Sequence, residues 1–199
     1  MPLVVPEFHN YNLFIRDEMQ QFRRDYFNDK GYHFDNWTQY LPTVALPTLK
    51  LLGVPAPHTY MQQFCRIAGS FILIGSVVLP LKECGLEWRP DHGSDNSFPS
   101  GHTATSFIGA EMLRLEYSQV SPLITVVGYG IATFTGIMRV YNNRHWLGDV
   151  LAGSVIGIIA ADLSYYLCQR YIDPLCQRLF CPKAQGSVSL VTTPDLQLP

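Results

Sequence analysis

The chain has 199 residues, with 14 Lys or Arg and 16 Asp or Glu and a formal net charge of −2. This length suits a single domain, and the near-zero charge excludes the basic surface of a nucleic-acid-binding protein. Charged residues make up only 15% of the sequence, against about 25% in an ordinary soluble domain. With a mean hydropathy of +0.07, the composition favours a helical protein embedded in or associated with a membrane.

The first predicted helix covers residues 11–29. Its apolar residues Ile15, Met19, Phe22 and Tyr26 are spaced by four, three and four positions, which places them on one face. The opposite face is charged, so we expect this helix to lie on a surface, such as that of a bilayer. No basic segment followed by an apolar core precedes it, so no signal peptide is predicted.

The second predicted helix covers residues 36–52. Pro42 and Pro47 are expected to kink it, because proline removes a backbone donor and crowds the preceding turn. Gly53 is expected to end it, since glycine tolerates the left-handed conformation that follows many helices.

The third predicted helix begins at Thr59, which can cap it, and runs to about Glu83, with Gly85 as its stop. It contains the charge-free stretch 67–81. Residues 89–99, RPDHGSDNSFP, are rich in turn-forming residues and predict a polar loop.

Three more helices complete the predicted fold, an all-α bundle of about six helices in a single domain over residues 1–172. The fourth covers residues 100–116, and the fifth covers 122–138 with Ser121 as its cap. The sixth covers residues 145–171. Residues 173–199 are rich in turn formers and predict a poorly ordered tail.

The apolar stretches leave membrane insertion borderline. The charge-free runs cover residues 67–81, 117–138 and 150–161, whereas a spanning helix needs roughly 20 mostly apolar residues. The five cysteines include no CxxC pair, which disfavours a metal site. Cys176 and Cys181 can pair in an oxidising compartment or remain free thiols.

The segment NSFPSGHTATSF carries the first candidate site residues. Ser100 can cap the fourth helix, and Gly101 allows a ligand to approach the backbone closely. The free N–H groups of a helix start bind anions, and His102 lies beside them. The alternative is a capped helix with a surface histidine.

Two further groups of residues point to the same chemistry. Lys82 and Arg89 can grip a phosphate, although cations near a helix end also cap its carbonyls. His145 and Asp149 are four residues apart, so on a helix they share a face, and the carboxylate can fix the imidazole tautomer. Arg139 precedes them at the end of the fifth helix. The alternative is a His–Asp pair that only stabilises a helix start.

All of these residues fall at one end of an up-down bundle, which predicts a cationic pocket with two histidines. In order and spacing they resemble the three-part signature of the type 2 phosphatidic acid phosphatase superfamily. That superfamily includes bacterial class A acid phosphatases and vanadium-dependent haloperoxidases. The resemblance covers residues 82–149, about a third of the chain.

The resemblance implies a role for each matching residue. His145 is expected to be the phosphoryl-accepting nucleophile, Asp149 to orient it, and His102 to protonate the leaving alcohol. Lys82, Arg89 and Arg139 are expected to clamp the phosphoryl oxygens. Ser100 and the backbone N–H of Gly101 would assist them, with no metal or cofactor. The usual serine before the arginine is replaced by Met138, which leaves that arginine held less firmly or by another partner.

The implied function is hydrolysis of a membrane lipid phosphate or diphosphate through a phosphohistidine intermediate. The alternatives are a soluble broad-range acid phosphatase, a vanadate-dependent haloperoxidase and a non-enzymatic membrane protein with a phosphate site. The expected location is a bacterial inner membrane with the site facing the periplasm, or else the periplasm itself. The sequence leaves the substrate and the oligomeric state open.

Overall fold

The computed structural model describes residues 16–25 and 33–180, with the side chains of the latter segment up to residue 176. Residues 16–25 form a helix, α1, within the predicted first helix. The remainder of that predicted helix, the end of the tail and Cys181 lie outside the described residues.

The predicted second helix is divided into two. α2 (Asp35–Thr38) and α3 (Leu41–Leu51) are separated by a turn, because Pro42 occupies the first turn of α3, where its missing N–H costs nothing. Pro47 lies inside α3. The expected stop is confirmed, since Gly53 has φ +89° and follows the C-cap residue of the helix, Leu52.

The third predicted helix is confirmed as α4 (Tyr60–Glu83), which begins with a capping box. Thr59 Oγ1 accepts from the Gln62 backbone N–H, and the Gln62 side chain accepts from the Thr59 N–H. α4 begins seven residues before the charge-free stretch and includes Arg66, whose fully buried side chain pairs with Asp173 at 2.6 Å.

The next three helices are α5 (Gly101–Tyr117), α6 (Pro122–Tyr141) and α7 (Leu147–Leu167). α6 is three residues longer than predicted. Ser121 lies at its N-cap position, but its side chain makes no capping hydrogen bond. α6 ends where Asn143 takes φ +58°, a conformation that asparagine tolerates better than most residues.

The chain after α7 differs from the predicted tail. A π-helical turn, Cys168–Ile172, leads into α8 (Asp173–Phe180). The expectation of disorder was therefore wrong for residues 173–180. The ion pair between Arg66 and Asp173 anchors the start of α8 on α4, a contact that no local sequence pattern signals.

Consecutive long helices run in opposite directions around α5, which packs mainly on α3, α6 and α7. The last turns of α4 and α6 and the first turns of α5 and α7 therefore meet at one end, which we call the site end. At the far end His58 lies 2.7 Å from Glu116, near the end of α5, and 3.3 Å from Tyr165, near the end of α7.

Three helical segments, Tyr60–Glu83, Pro122–Tyr141 and Leu147–Cys176, are long and apolar enough to cross a membrane. Apolar side chains on these segments, such as Ile72, Val126 and Ile159, are more than half exposed, as expected for a surface that faces lipid. The borderline hydropathy is thus resolved in favour of a membrane protein. The described residues contain no strand, which confirms the all-α prediction for that part of the chain.

Glycines let α7 pack directly on the backbone of α5. A Cβ at Gly153 would collide with the Ser100 carbonyl, and one at Gly157 would collide with the Ala104 carbonyl. Small residues at such contacts are typical of helices that associate within membranes. This packing fixes the start of α7 against the start of α5, where the candidate site residues lie.

Candidate active site

The end of α6 determines where His145 lies. The Arg139 carbonyl accepts hydrogen bonds from the backbone N–H groups of Arg144 at 3.0 Å and His145 at 3.3 Å. This pattern is a Schellman motif, the helix ending that forms when the residue after the C-cap, here Asn143, takes the left-handed conformation. His145 therefore lies in the loop before α7, whereas the sequence analysis placed it on the helix.

His145 still meets Asp149. The Nδ1 atom of His145 is 3.6 Å from Asp149 Oδ2, and both side chains are almost fully buried. Ser97 lies beside both, with its hydroxyl donating to Asp149 Oδ2 at 2.5 Å and lying 3.5 Å from His145 Nδ1. The Trp146 backbone N–H donates to the same carboxylate oxygen at 2.9 Å. Asp149 is thus fixed from three sides, which leaves His145 Nε2 available for chemistry.

Burial lowers the pKa of the His145 imidazole, while the neighbouring Asp149 carboxylate acts in the opposite direction. The positive charges of Arg139 and Lys82 add to the lowering. His145 is therefore neutral at neutral pH in the free protein, which is the state that a nucleophilic imidazole requires.

Lys82 and Arg89 are oriented by one residue of the polar loop. Lys82 Nζ donates to the Asn96 backbone carbonyl at 2.8 Å, and Arg89 Nε donates to the Asn96 side-chain oxygen at 3.1 Å. Ser94 Oγ donates to that same oxygen at 2.8 Å. Asn96 therefore places the two cations side by side at the site end.

Arg139 is held by a residue outside the three motifs. Its guanidinium forms a buried ion pair with Asp35 of α2, and Asn142 donates to the other oxygen of that carboxylate at 3.1 Å. Asp35 is thus the other partner that the sequence analysis allowed for, given Met138 in the usual serine position. Among the described residues, no acceptor reaches the buried Arg139 Nε, and the oxygen of a bound anion would satisfy it.

His102 lies in the first turn of α5, close enough to Arg139, His145 and Lys82 to interact with them electrostatically. Its Nε2 is 3.1 Å from the side-chain oxygen of Asn36, which can only accept, so Nε2 is the donor in this pair. Burial, and then the charge of Arg139, lowers the pKa of His102 to about 4.

Ser100 and Gly101 form the start of α5. The Ser100 hydroxyl accepts from the Thr103 N–H at 3.4 Å and lies 2.8 Å from the Thr103 hydroxyl, which confirms the predicted cap. The Ser100 backbone N–H donates to the Asp149 carbonyl at 3.0 Å. The first N–H groups of a helix, including that of Gly101, have no acceptor within the helix. A role for either residue in phosphate binding remains a prediction.

The structure thus brings all eight predicted site residues to the site end. Sequence reasoning missed Asp35, Asn36, Asn96 and Ser97, which hold the predicted residues in place. Of these four residues, only Asp35 could have been recognised from the sequence. It is an acidic residue in an aromatic-rich segment, which suggests a buried carboxylate, and a buried carboxylate needs a partner. No signal in the sequence distinguishes Ser97 from its loop neighbours.

Chemically, the arrangement places three cationic side chains beside two imidazoles, a combination that can bind an anion. Lys82, Arg89 and Arg139 supply positive charge, and the buried imidazole of His145 is oriented by Asp149. Such a cluster can hold a tetrahedral oxyanion group and stabilise charge on its oxygens. The described residues contain no group of three or more His, Cys, Asp or Glu side chains arranged to bind a metal ion.

Comparison with known proteins agrees with this geometry. The family model of the PAP2 superfamily matches residues 50–173. The chain is 36% identical to the lipid A 1-phosphatase of Porphyromonas gingivalis over 171 residues, which cover 84% of this chain and 37% of that protein. It is 32% identical to lipid phosphate phosphatase 1 of Arabidopsis thaliana over 143 residues, 66% of this chain and 42% of that one. The chain therefore spans well under half the length of either relative.

Two solved structures share the fold. Aquifex aeolicus LpxE superposes with a TM-score of 0.52 and 26% identity, covering 67% of this chain and 84% of that one. A PAP2 type phosphatidylglycerolphosphate phosphatase from Bacillus subtilis superposes with a TM-score of 0.57, covering 81% and 88% of the two chains. At 21% identity, the second likeness concerns the fold alone. The family match and the helical arrangement lead to one conclusion: this chain belongs to the PAP2 superfamily.

Proposed function

We propose that the protein is a membrane phosphatase that removes a phosphate group from a lipid phosphate monoester or diphosphate through a phosphohistidine intermediate. The observation that carries the proposal is the convergence of three cationic side chains on a buried His145–Asp149 pair. Its position at one end of three potential membrane spans supports a lipid substrate. The relatives named as a lipid A 1-phosphatase and a lipid phosphate phosphatase also support it.

In the first step, the lone pair of His145 Nε2 attacks phosphorus, and the bond from phosphorus to the lipid oxygen breaks. The electron pair of that bond stays on the leaving oxygen, which takes a proton from the imidazolium form of His102, the form that the bound phosphate dianion stabilises, and His102 is left neutral. Arg139, with its unpaired Nε, and Lys82 and Arg89 stabilise the charge on the phosphoryl oxygens. Phosphoryl transfer depends mainly on such positioning and charge stabilisation.

In the second step, water attacks phosphorus and the bond from His145 Nε2 to phosphorus breaks. Neutral His102 accepts the proton that the water loses, and inorganic phosphate leaves. Asp149, fixed by Ser97 and the Trp146 N–H, stabilises the positive charge that His145 carries while it is phosphorylated. At the end of the cycle His145 is again an unmodified imidazole, and His102 again carries the proton that it donated in the first step.

The test is phosphate release by the purified full chain on a soluble aryl phosphate and on a long-chain lipid phosphate in detergent micelles. We expect release from both and a strong preference for the lipid, and His145→Ala should abolish both activities. Comparable turnover of the soluble ester would favour a broad-range acid phosphatase instead. No release from either substrate would contradict the proposal.

A second variant tests the proton donor. His102→Ala should slow the hydrolysis of alkyl phosphates far more than that of aryl phosphates with good leaving groups, because those groups need little protonation. Equal losses on the two substrates would contradict the role of His102.

We also propose that the protein lies in a bacterial inner membrane with the site end facing the periplasm. Cys84, exposed at the site end of α4, offers a test, since the other described cysteines (Cys65, Cys168 and Cys176) lie toward the far end and are buried or half-buried. A membrane-impermeant maleimide added to intact spheroplasts should label the protein, and Cys84→Ser should remove that labelling. Labelling of Cys84 only after lysis would place the site on the cytoplasmic side.

A further inference from the structure

A largely apolar cavity of about 700 Å³ lies between α1, α6 and α7, next to the candidate active site. Apolar side chains from all three helices line it: Met19 and Phe22, Ile137 and Val140, and Val150 and Leu151. Among its charged lining residues, Arg23 donates to the Tyr141 carbonyl at 3.1 Å and Glu18 is exposed. The cavity is not needed for the reaction steps described above.

The two ends of the cavity differ in character. His145 and Trp146 line one end, so the cavity begins at the proposed nucleophile. Ser154 lines it further along α7. Ser154 lies nine positions after His145, most of them on α7, which corresponds to about 13 Å at the rise of a helix. The cavity is thus a channel with a reactive group at its start.

The channel is continuous with the membrane-facing surface of the protein. Ile137, Leu147 and Leu151 line it and are also substantially exposed, on or directly beside the segments that can cross a membrane. A chain entering between α6 and α7 would therefore pass directly from lipid to His145.

α1 is fastened over the channel by contacts with the loops of the site. Arg16 forms a two-bond ion pair with Glu87, at 2.8 and 3.0 Å, and its guanidinium lies 4.7 Å from the Trp146 ring centre. Gln20 donates to the Asn143 side chain at 2.8 Å. The loop residues that α1 contacts lie close in sequence to Arg89 and His145. α1 therefore forms a wall that is fixed relative to the reacting groups.

We propose that this channel binds one acyl chain of the lipid phosphate, with α1 as its outer wall. The inference rests on the proposed function and deepens it, because it identifies a part of the site that selects lipids over water-soluble esters. An acyl chain is the occupant that fits an apolar channel open to the bilayer at its side and ending at the nucleophile. Arg23 and Gln20, which line the channel too, are engaged with backbone or side-chain partners.

The sharpest test is the dependence of turnover on chain length. With alkyl phosphates from butyl to tetradecyl below their micelle concentrations, kcat/KM should rise by up to roughly fourfold per methylene. The rise should level off once the chain fills about 13 Å. Ser154→Trp should make the rise in kcat/KM level off at a shorter chain length. It should leave butyl phosphate turnover unchanged, because the added ring blocks only the distal part of the channel.

Ser76→Trp is the matched control. Ser76 on α4 lies outside the channel, and its hydroxyl donates to Leu73 O in the same way that Ser154 donates to Leu151 O. If Ser154→Trp keeps the wild-type chain-length profile, or Ser76→Trp changes it equally, the acyl-chain inference is wrong.

A second pair of variants tests the wall. Met19→Asp introduces a carboxylate on the channel face of α1 and should reduce turnover of long-chain phosphates about tenfold or more. Butyl phosphate should be hydrolysed as before. Gln21→Asp places the same charge on the exposed face and should change neither. Equal effects of the two variants would overturn the assignment of α1 as the wall.

The two proposals fail in different ways. If the wild-type protein releases no phosphate from any substrate, the proposed function is wrong. If it hydrolyses butyl phosphate and long-chain phosphates with equal kcat/KM, the function stands and the acyl channel is rejected.

Discussion

Asp35 and Arg139, 104 residues apart in the sequence, form an ion pair in which both side chains are more than nine-tenths buried. α2 thus supplies the counter-charge for an arginine at the end of α6. Asn142 completes the arrangement by donating to the second carboxylate oxygen. The position of a proposed phosphate-binding residue is therefore set by a segment that precedes all three motifs.

Replacing Asp35 should damage the site and the fold together. Asp35→Ala leaves the Arg139 charge buried and unpaired, at a cost of about 3–5 kcal/mol in the free energy of unfolding. Asp35→Asn keeps the shape and should lower kcat/KM by roughly tenfold to a hundredfold, because Arg139 is no longer held by a charge. Steady-state kinetics and thermal unfolding in detergent measure the two effects.

Asp91→Ala is the control for Asp35, since Asp91 forms a solvent-exposed pair with Arg144 at 3.1 Å near the same end of the bundle. An exposed pair contributes about 0–1 kcal/mol. The same loss in the Asp91 and Asp35 variants would show that Asp35 has no special role in holding Arg139.

Ser97 is expected to act as a positioning residue. Ser97→Ala removes the 2.5 Å hydrogen bond to the buried Asp149 carboxylate, which should lower kcat roughly tenfold to a hundredfold with little change in KM. The acid limb of the pH–rate profile should also move, because Asp149 then keeps only the Trp146 N–H and His145 as partners. Ser76→Ala, on an exposed part of α4, should change neither quantity. A fall in thermal stability with an unchanged pH profile would indicate that Ser97 is structural only.

Local signals predicted much of the fold, and long-range contacts account for what they missed. Thr59 and Ser100 cap their helices as expected, because a capping residue and its partner lie within one turn. The motif residues could be placed at one end from helix order alone. The contacts made by Asp35 and Ser97 depend on segments that meet only in the folded bundle, as does the ion pair between Arg66 and Asp173 at the start of α8.

Anion binding should depend on pH through His102. Burial and Arg139 hold its pKa at about 4 in the free protein, and a bound dianion should raise that pKa. A ligand that raises the pKa of a group binds more tightly as the pH falls from the pKa of that group in the complex toward its pKa in the free protein. We therefore expect the inhibition constant of sulfate, which stays a dianion in this range, to fall by up to about tenfold per pH unit between neutral pH and pH ~5.

His102→Gln should remove most of this dependence while leaving sulfate as a weak inhibitor. Inhibition by sulfate with the same pH dependence in wild type and His102→Gln would exclude His102 as the titrating group. Competitive inhibition of aryl phosphate hydrolysis over a pH series provides the measurement.

The close packing of α7 on α5 makes two glycines sensitive to substitution. Gly153→Ala and Gly157→Ala should each destabilise the protein by about 1–3 kcal/mol, because a methyl group would press on the carbonyls of Ser100 and Ala104. Gly153→Ala should also lower activity, since it moves the start of α7 away from that of α5. Thermal unfolding and kcat/KM measured in the same detergent test both effects.

Gly130→Ala and Gly75→Ala are the matched controls, because a Cβ at either helical position would meet no atom within 4 Å. Alanine is favoured over glycine in helices by roughly 1 kcal/mol, so these variants should be neutral or stabilising. Destabilisation of the controls and the test variants alike would contradict the packing argument.

The central position of α5 also bears on how the protein is made. α5, 17 residues long, carries Glu111, Arg114 and Glu116, and it is not among the described helices that are both long and apolar enough to cross a membrane. Charged residues are costly at the centre of a bilayer, so we expect α5 to insert poorly as an isolated segment. We therefore expect its insertion to depend on the neighbouring helices, because Tyr129 of α6 donates to Glu111 and Asp162 of α7 accepts from Arg114 at 3.4 Å. The helix that begins with the candidate proton donor is thus the one whose insertion depends most on its neighbours.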